Sequence, residues 1–264
     1  MSINIFDILN GKPTKNFLIP DRDSNAVTGS QFIAANMNVS LTVRESNVLN
    51  EFLAGNIPEF LRKFTPVTIE EKNNKITYLV MADGLSIGSN SDYVRMPMDP
   101  ITAQKIADKY DCTLPTRKMV NDIWEASVNK LNPLPWGPPY DASMMSTYRV
   151  DVQNKKINKQ LIGKNFEELT SGCKKDIVLT NRLYPNNPNK RVAIFGWIQS
   201  NGQPIQGLNP KDHEINFKDY SHQARMIAND VILNGKIVRI QDIFNNKILC
   251  YLLSDEGPLL FQRY

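Results

Sequence analysis

The chain has 264 residues, 41% hydrophobic and 22% charged, with a formal charge of +4 from 31 basic and 27 acidic residues. That composition suits a folded protein large enough to need neither disulfide nor metal. The charge is too mild for the basic stripe of a nucleic-acid binder, and no run approaches the ~18–20 apolar residues of a membrane span, so neither partner is expected.

No Gly/Ser linker or charge block divides the chain, which reads as one domain over 1–264, with 1–38 as a wrapping arm of short helices. Met1–Asn10 lacks a basic leader followed by an apolar run, so no signal peptide is predicted. The compartment stays open between the cytoplasm and a secreted mature form. Thr42-Val43-Arg44-Glu45 fits a capping box ahead of a helix whose inner face is Val48, Leu49, Phe52 and Leu53, and Gly55 closes it. Asn56 is expected to cap a short second helix carrying Phe60 and Leu61 inward. Val67–Glu70 and Lys75–Met81 flank a polar turn and read as a hairpin. Ala82–Asp92 reads as loop and Tyr93–Met96 as a further strand.

Asp99-Pro100 starts a helix over Ile101–Tyr110, and Thr116 starts another to about Lys130, with Met119, Val120, Ile123 and Trp124 inward. Asn132–Tyr140 holds four prolines around Trp136 and must be a rigid loop. Asp176–Thr180 and Arg191–Ile198 read as buried strands separated by a Pro/Asn-rich loop over Tyr184–Asn189. Asn201-Gly202 marks a tight turn. Asn234-Gly235 joins Arg225–Leu233 to Lys236–Ile240 as a hairpin, and short helical pieces close the chain to Leu253. Helices early, antiparallel strands late and no regular βαβ alternation predict an α+β fold: a helical first half followed by a mainly antiparallel sheet. The glycine loops of nucleotide sites are absent, as are GxSxG and HExxH.

Histidine titrates nearest neutrality, and the chain has two, His213 and His222. His222, in Asp219-Tyr220-Ser221-His222 before a predicted strand, is the candidate proton shuttle, with Asp219 or Asp176 to orient it. His213 reads as an exposed loop residue. Cys112, shortly before a helix start, and Ser221 are candidate nucleophiles, beside an activated water; a helix N-terminus lowers a thiol's pKa. A Cys near a helix start with a later His resembles the layout of papain-like and NlpC/P60-like cysteine hydrolases. Their Asp-Cys-Ser-Gly block is missing here, because Asp111-Cys112 continues as Thr113-Leu114. Cys173, beside Lys174 and Lys175, sits in a setting that also favours thiolate, whereas Cys250 reads as core. Lys175 at a strand start and Lys118 in a helix's first turn are candidate charge stabilisers. Arg117 and Lys118 oppose the helix dipole there, which calls for an anionic partner. Three distant cysteines and two histidines supply no metal-ligand spacing, so no metal or cofactor is expected. Lys155, Lys156, Lys190 and Arg191 read as solvated surface charge.

The blocks Leu114-Pro115-Thr116-Arg117-Lys118-Met119-Val120, Lys174-Lys175-Asp176-Ile177-Val178 and Asp219-Tyr220-Ser221-His222 resemble a family of bacterial proteins of unassigned function. Phe195-Gly196-Trp197-Ile198 and Pro204-Ile205-Gln206 extend the resemblance, over roughly residues 30 to 240. The family carries a Gly after the histidine where this chain has Gln223, implying a different local backbone. The resemblance implies no activity.

The leading expectation is a hydrolase of a cell-wall or other biopolymer bond with His222 as acid/base, acting on a polymeric or small-molecule substrate. The rivals are a binding module that grips carbohydrate or protein with the Trp136–Tyr140 loop, and a structural interaction protein. Oligomeric state is left open.

Overall fold

A computed structural model describes residues 12, 14–16, 18–183, 191–210 and 212–264. Most of the predicted Tyr184–Asn189 surroundings, Lys190 and the first part of the arm, Met1–Asn10 included, therefore lie outside the described residues. The strands are β1 (Thr14–Lys15), β2 (Lys63–Glu71), β3 (Asn74–Met81), β4 (Ser86–Gly88), β5 (Tyr93–Arg95), β6 (Cys112–Thr113), β7 (Asn129–Lys130) and β8 (Thr170–Ser171), followed by β9 (Lys175–Ile177), β10 (Ile194–Ile198), β11 (Pro204–Gln206), β12 (His222–Gln223), β13 (Ile227–Ala228), β14 (Asp230–Leu233) and β15 (Lys236–Arg239). The helices are α1 (Gly29–Ala35), α2 (Leu41–Leu53), α3 (Pro100–Lys109), α4 (Arg117–Ala126), α5 (Thr147–Gln160) and α6 (Ile240–Asn245).

The fold is mixed α/β with mainly antiparallel sheets. A seven-stranded sheet runs β1-β2-β3-β13-β6, with β14 and β15 branching from β3. A four-stranded sheet runs β11-β10-β9-β12, in which only the β9–β12 pair is parallel. Two tight turns fix the first sheet's hairpins. Lys72 and Asn73, at φ 50° and 64°, join β2 to β3, and Asn234 and Gly235, at 49° and 82°, join β14 to β15. Positive φ at both central residues matches the twist of the flanking strands. No helix among the described residues is long and apolar enough to cross a membrane.

Helix starts follow the expected chemistry at two sites. Asp99 accepts from the Thr102 amide ahead of Pro100, and Thr116 accepts from the Met119 amide. The start of α2 is a correction: Ser40, not Thr42, caps it by accepting from Val43. Glu45 instead accepts from the Asp99 amide and pairs with Lys218 at 2.8 Å, so a distant partner outcompetes the capping box. Asn56 caps nothing; its side chain bonds Arg22, Val27 and Glu51, while Phe60 and Leu61 are buried as expected.

Helices and strands are not segregated by half. The longest strands, β2 and β3, fall in the first half, and α5 lies in the second. Ala82–Asp92 is not all loop, since β4 pairs with β5 within and beyond it. One core cluster gathers side chains from Ile19 to Leu259, and a second packs Val120 and Trp124 of α4 on Phe195 and Ile198 of β10. The second cluster seats the four-stranded sheet, whose other face builds the site.

Candidate functional site

The parallel pair β9–β12 joins two of the sequence blocks. His222 registers with Lys175 and Gln223 with Asp176, and the Lys175 amide donates to the Ser221 carbonyl at 2.8 Å. Side chains alternate along a strand, so Lys175 and His222 share one face while Asp176 and Gln223 share the other. This decides which carboxylate accompanies the histidine. On the far face, Asp176 accepts from the Gln223 amide at 2.9 Å and lies 3.7 Å from Arg225. Burial pushes its carboxyl up to about 6 against the pull of Arg225 and Gln223. Gln223 thus uses its side chain where a glycine has none. On the near face, Asp219 Oδ1 stands 3.8 Å from His222 Nε2, beyond a hydrogen bond but within strong electrostatic reach.

That near face opens on a cleft of about 750 Å³. Lys175, Asp219, Tyr220, His213, Phe217 and Trp197 form its floor and one wall, and Pro135, Trp136, Tyr140, Met144 and Met145 face them. The proline-rich loop is held by the Trp136 amide donating to the Tyr220 hydroxyl at 2.8 Å and by the indole donating to Gln153 at 3.2 Å. Trp197 owes its place to an irregularity in β10: Gly196 has φ 128° and Trp197 itself 56°. A bulky residue in the left-handed region costs about 1–2 kcal/mol. The twist turns the indole away from the Phe195 face, so that it packs under the Lys175 ammonium at 4.5 Å and donates to the Cys173 carbonyl at 2.9 Å.

The charges on the floor have identifiable causes. Burial raises the Asp219 carboxyl, but His222, Lys175 and hydrogen bonds from Ser221 N and Oγ (2.8 and 2.5 Å) outweigh it and hold it below the usual range. Asp219 is therefore ionised at neutral pH. Burial lowers Lys175, with Asp219 opposing, and lowers His213. His213 is half-buried in the cleft wall and stacks on Phe217 at 4.1 Å, which corrects the expectation of an exposed loop residue. Burial pushes His222 down to about 4, so its ring is neutral. The ring is fully buried behind Asp219, His213 and Phe217, and neither of its nitrogens has a hydrogen-bond partner among the described residues.

Lys175, Asp219, Ser221 and His222 therefore come together, and Asp176, Cys112, Cys173 and Lys118 do not join them. Cys112 is buried on β6 in the other sheet, bonded to Tyr110 and Asn16, and burial pushes its thiol well up rather than down. Cys173 is likewise raised, to about 11, because burial, helped by Asp83, outweighs Arg95, Lys174 and Arg225. Lys118 pairs with Asp122 at 2.9 Å and Arg117 with Asp255 at 2.7 Å, which answers their position against the helix dipole without a ligand. Ser221 is fully buried with its hydroxyl donated to Asp219. Sequence reasoning missed His213, Trp197 and Tyr220 as cleft residues; the Gly-Trp pair inside a predicted strand was the available signal for Trp197. Among the described residues no cluster of three His, Cys, Asp or Glu side chains is set to hold a metal.

Compared with protein-family models, with curated proteins and with solved structures, the chain matches none.

Proposed function

We propose that the chain is a single domain whose cleft binds a biopolymer along its aromatic walls and hydrolyses a bond over the Lys175–Asp219–His222 floor. The observation that carries this reading is the buried His222 ring. Among the described residues its two nitrogens have no partner, and a buried polar group without one calls for an explanation, of which a part in proton transfer is one. A single core cluster from Ile19 to Leu259 supports the one-domain reading.

No Ser, Thr or Cys is among the cleft's lining side chains, so water is the nucleophile. Asp219, ionised and at the cleft surface, takes a proton as the water oxygen bonds to the electrophilic carbon. His222, 3.8 Å behind it, receives that proton through a small approach of the two side chains. The Lys175 ammonium faces the growing negative charge and protonates the leaving group as its bond breaks. The proton then returns from His222 through Asp219 to solvent, and solvent reprotonates Lys175. Aromatic faces at Trp136 and Tyr140 suit the flat apolar faces of sugar rings.

The test is the release of new chain ends from a panel of polysaccharides and peptidoglycan in ¹⁸O-labelled water. Hydrolysis puts the label in the product. Binding without any release across the panel would replace this reading with the non-catalytic one.

A further inference from the structure

Eight lysines and arginines are buried among the described residues. Four of them have a carboxylate within 4 Å: Arg62 with Glu59, Arg95 with Asp83, Lys218 with Glu45 and Asp99, and Arg225 with Asp176. The other four are Arg44, Arg149, Lys174 and Lys175. Each of these touches or forms the wall of the same cleft. Arg44 Nη1 donates to the Met145 carbonyl at 2.7 Å and to Thr147, and its Nε and Nη2 have no partner among the described residues. Arg149 lies against Met144 and over the Trp136 ring at 4.8 Å. Lys174 donates to the Tyr220 carbonyl, and Lys175 reaches the cleft itself.

Chance does not readily gather every unpaired buried cation around one cavity, because burying an unpaired charge costs several kcal/mol. Two carboxylates line the cleft, Asp219 buried and Asp141 exposed, and together they offset half of this charge. Low-dielectric walls focus such a field into the opening. We infer that the cleft selects an anionic ligand, and that its substrate is a glycan carrying carboxylates, with one carboxylate seated beside Lys175 and sugar rings stacked on Trp136 and Tyr140. This rests on the polymer-binding reading above. A nucleic acid is the poorer fit, since its phosphates need exposed basic side chains tracking the strand, whereas these cations act from behind the wall.

The test is calorimetric binding of a short oligogalacturonate, its full methyl ester and a single-stranded DNA oligonucleotide to the wild-type chain. The acid form is expected to bind about tenfold tighter than the ester at low salt, a preference that shrinks as ionic strength rises toward ~0.5 M. Arg149→Gln should narrow the acid–ester ratio without removing ester binding. Equal affinity for acid and ester, tighter binding of the DNA, or no binding of either glycan overturns the inference. New chain ends are read in the same samples. Acid preference without chain ends refutes hydrolysis alone and leaves the anion selection standing.

Discussion

Replacing His222 by leucine should stabilise the protein while removing its activity. The ring is fully buried, packs edge-on against Phe217 at 5.5 Å, and neither nitrogen has a partner. Each unsatisfied buried polar atom costs about 1–3 kcal/mol, from which lost ring contacts must be subtracted. A net gain of about 1–2 kcal/mol at pH 7 follows, or about 2–4 °C in Tm for a chain of this size. The pH dependence is the sharper signature. His222 is depressed to about 4 in the folded protein from an ordinary 6.5, so the unfolded chain binds the proton more readily between those values. Its contribution is full above pH 6.5 and is lost as pH falls to 4, amounting to roughly 3 kcal/mol. Asp176 works in the opposite sense. Its folded pKa is raised to about 6 from 3.8, so stability falls as pH rises across that window. The two slopes oppose one another in the wild type, giving a shallow profile between pH 4 and 6. In the leucine variant the His222 slope is gone, and the Asp176 slope is opposed in part by His213, which burial also lowers. Urea unfolding at constant m from pH 4 to 8 reads both effects. A variant less stable than wild type at pH 7, or one that keeps the shallow profile, refutes the reasoning.

Three further outcomes follow from the geometry. Trp136→Ala removes the indole by which the proline-rich loop bonds Gln153, and should weaken ligand affinity by about tenfold in calorimetry and lower the melting temperature, because the loop loses one of its anchors. Cys112→Ala should cost about 1 kcal/mol in stability and leave turnover unchanged, because the thiol lies in the other sheet; loss of turnover in a folded variant would restore Cys112 as nucleophile. Asp83→Asn strands the buried Arg95 guanidinium, which is bonded to Asp83 at 2.6 and 2.9 Å, and should destabilise the protein by about 3–5 kcal/mol in chemical denaturation.

Where local chemistry dictates structure, the sequence was readable. Asp99 and Thr116 start their helices, and Asn234-Gly235 makes its turn, because the residues that decide these features are neighbours in the chain. Helix α5 escaped notice for a physical reason. Its inner face includes Arg149, Gln153 and Asn154, with Asn154 and Asn158 accepting from Arg95, so hydrophobic periodicity carries little of its signal. The convergence of Lys175 with His222 was equally hidden, since strands of two or three residues are too short to show a period. What could be read was that His222 and Lys175 each begin a strand. That Asp219 rather than Asp176 faces the histidine depends on the register of a parallel pair, which only the folded chain fixes.

The most direct test of the central claim is turnover by Asp219→Asn against the wild type, on whichever polymer the wild type cleaves. Asparagine keeps an oxygen to accept from Ser221 but cannot take the proton from water. The variant should bind its substrate and cleave it about 10²–10⁴-fold more slowly. Cleavage at the wild-type rate would contradict a hydrolytic site on this floor.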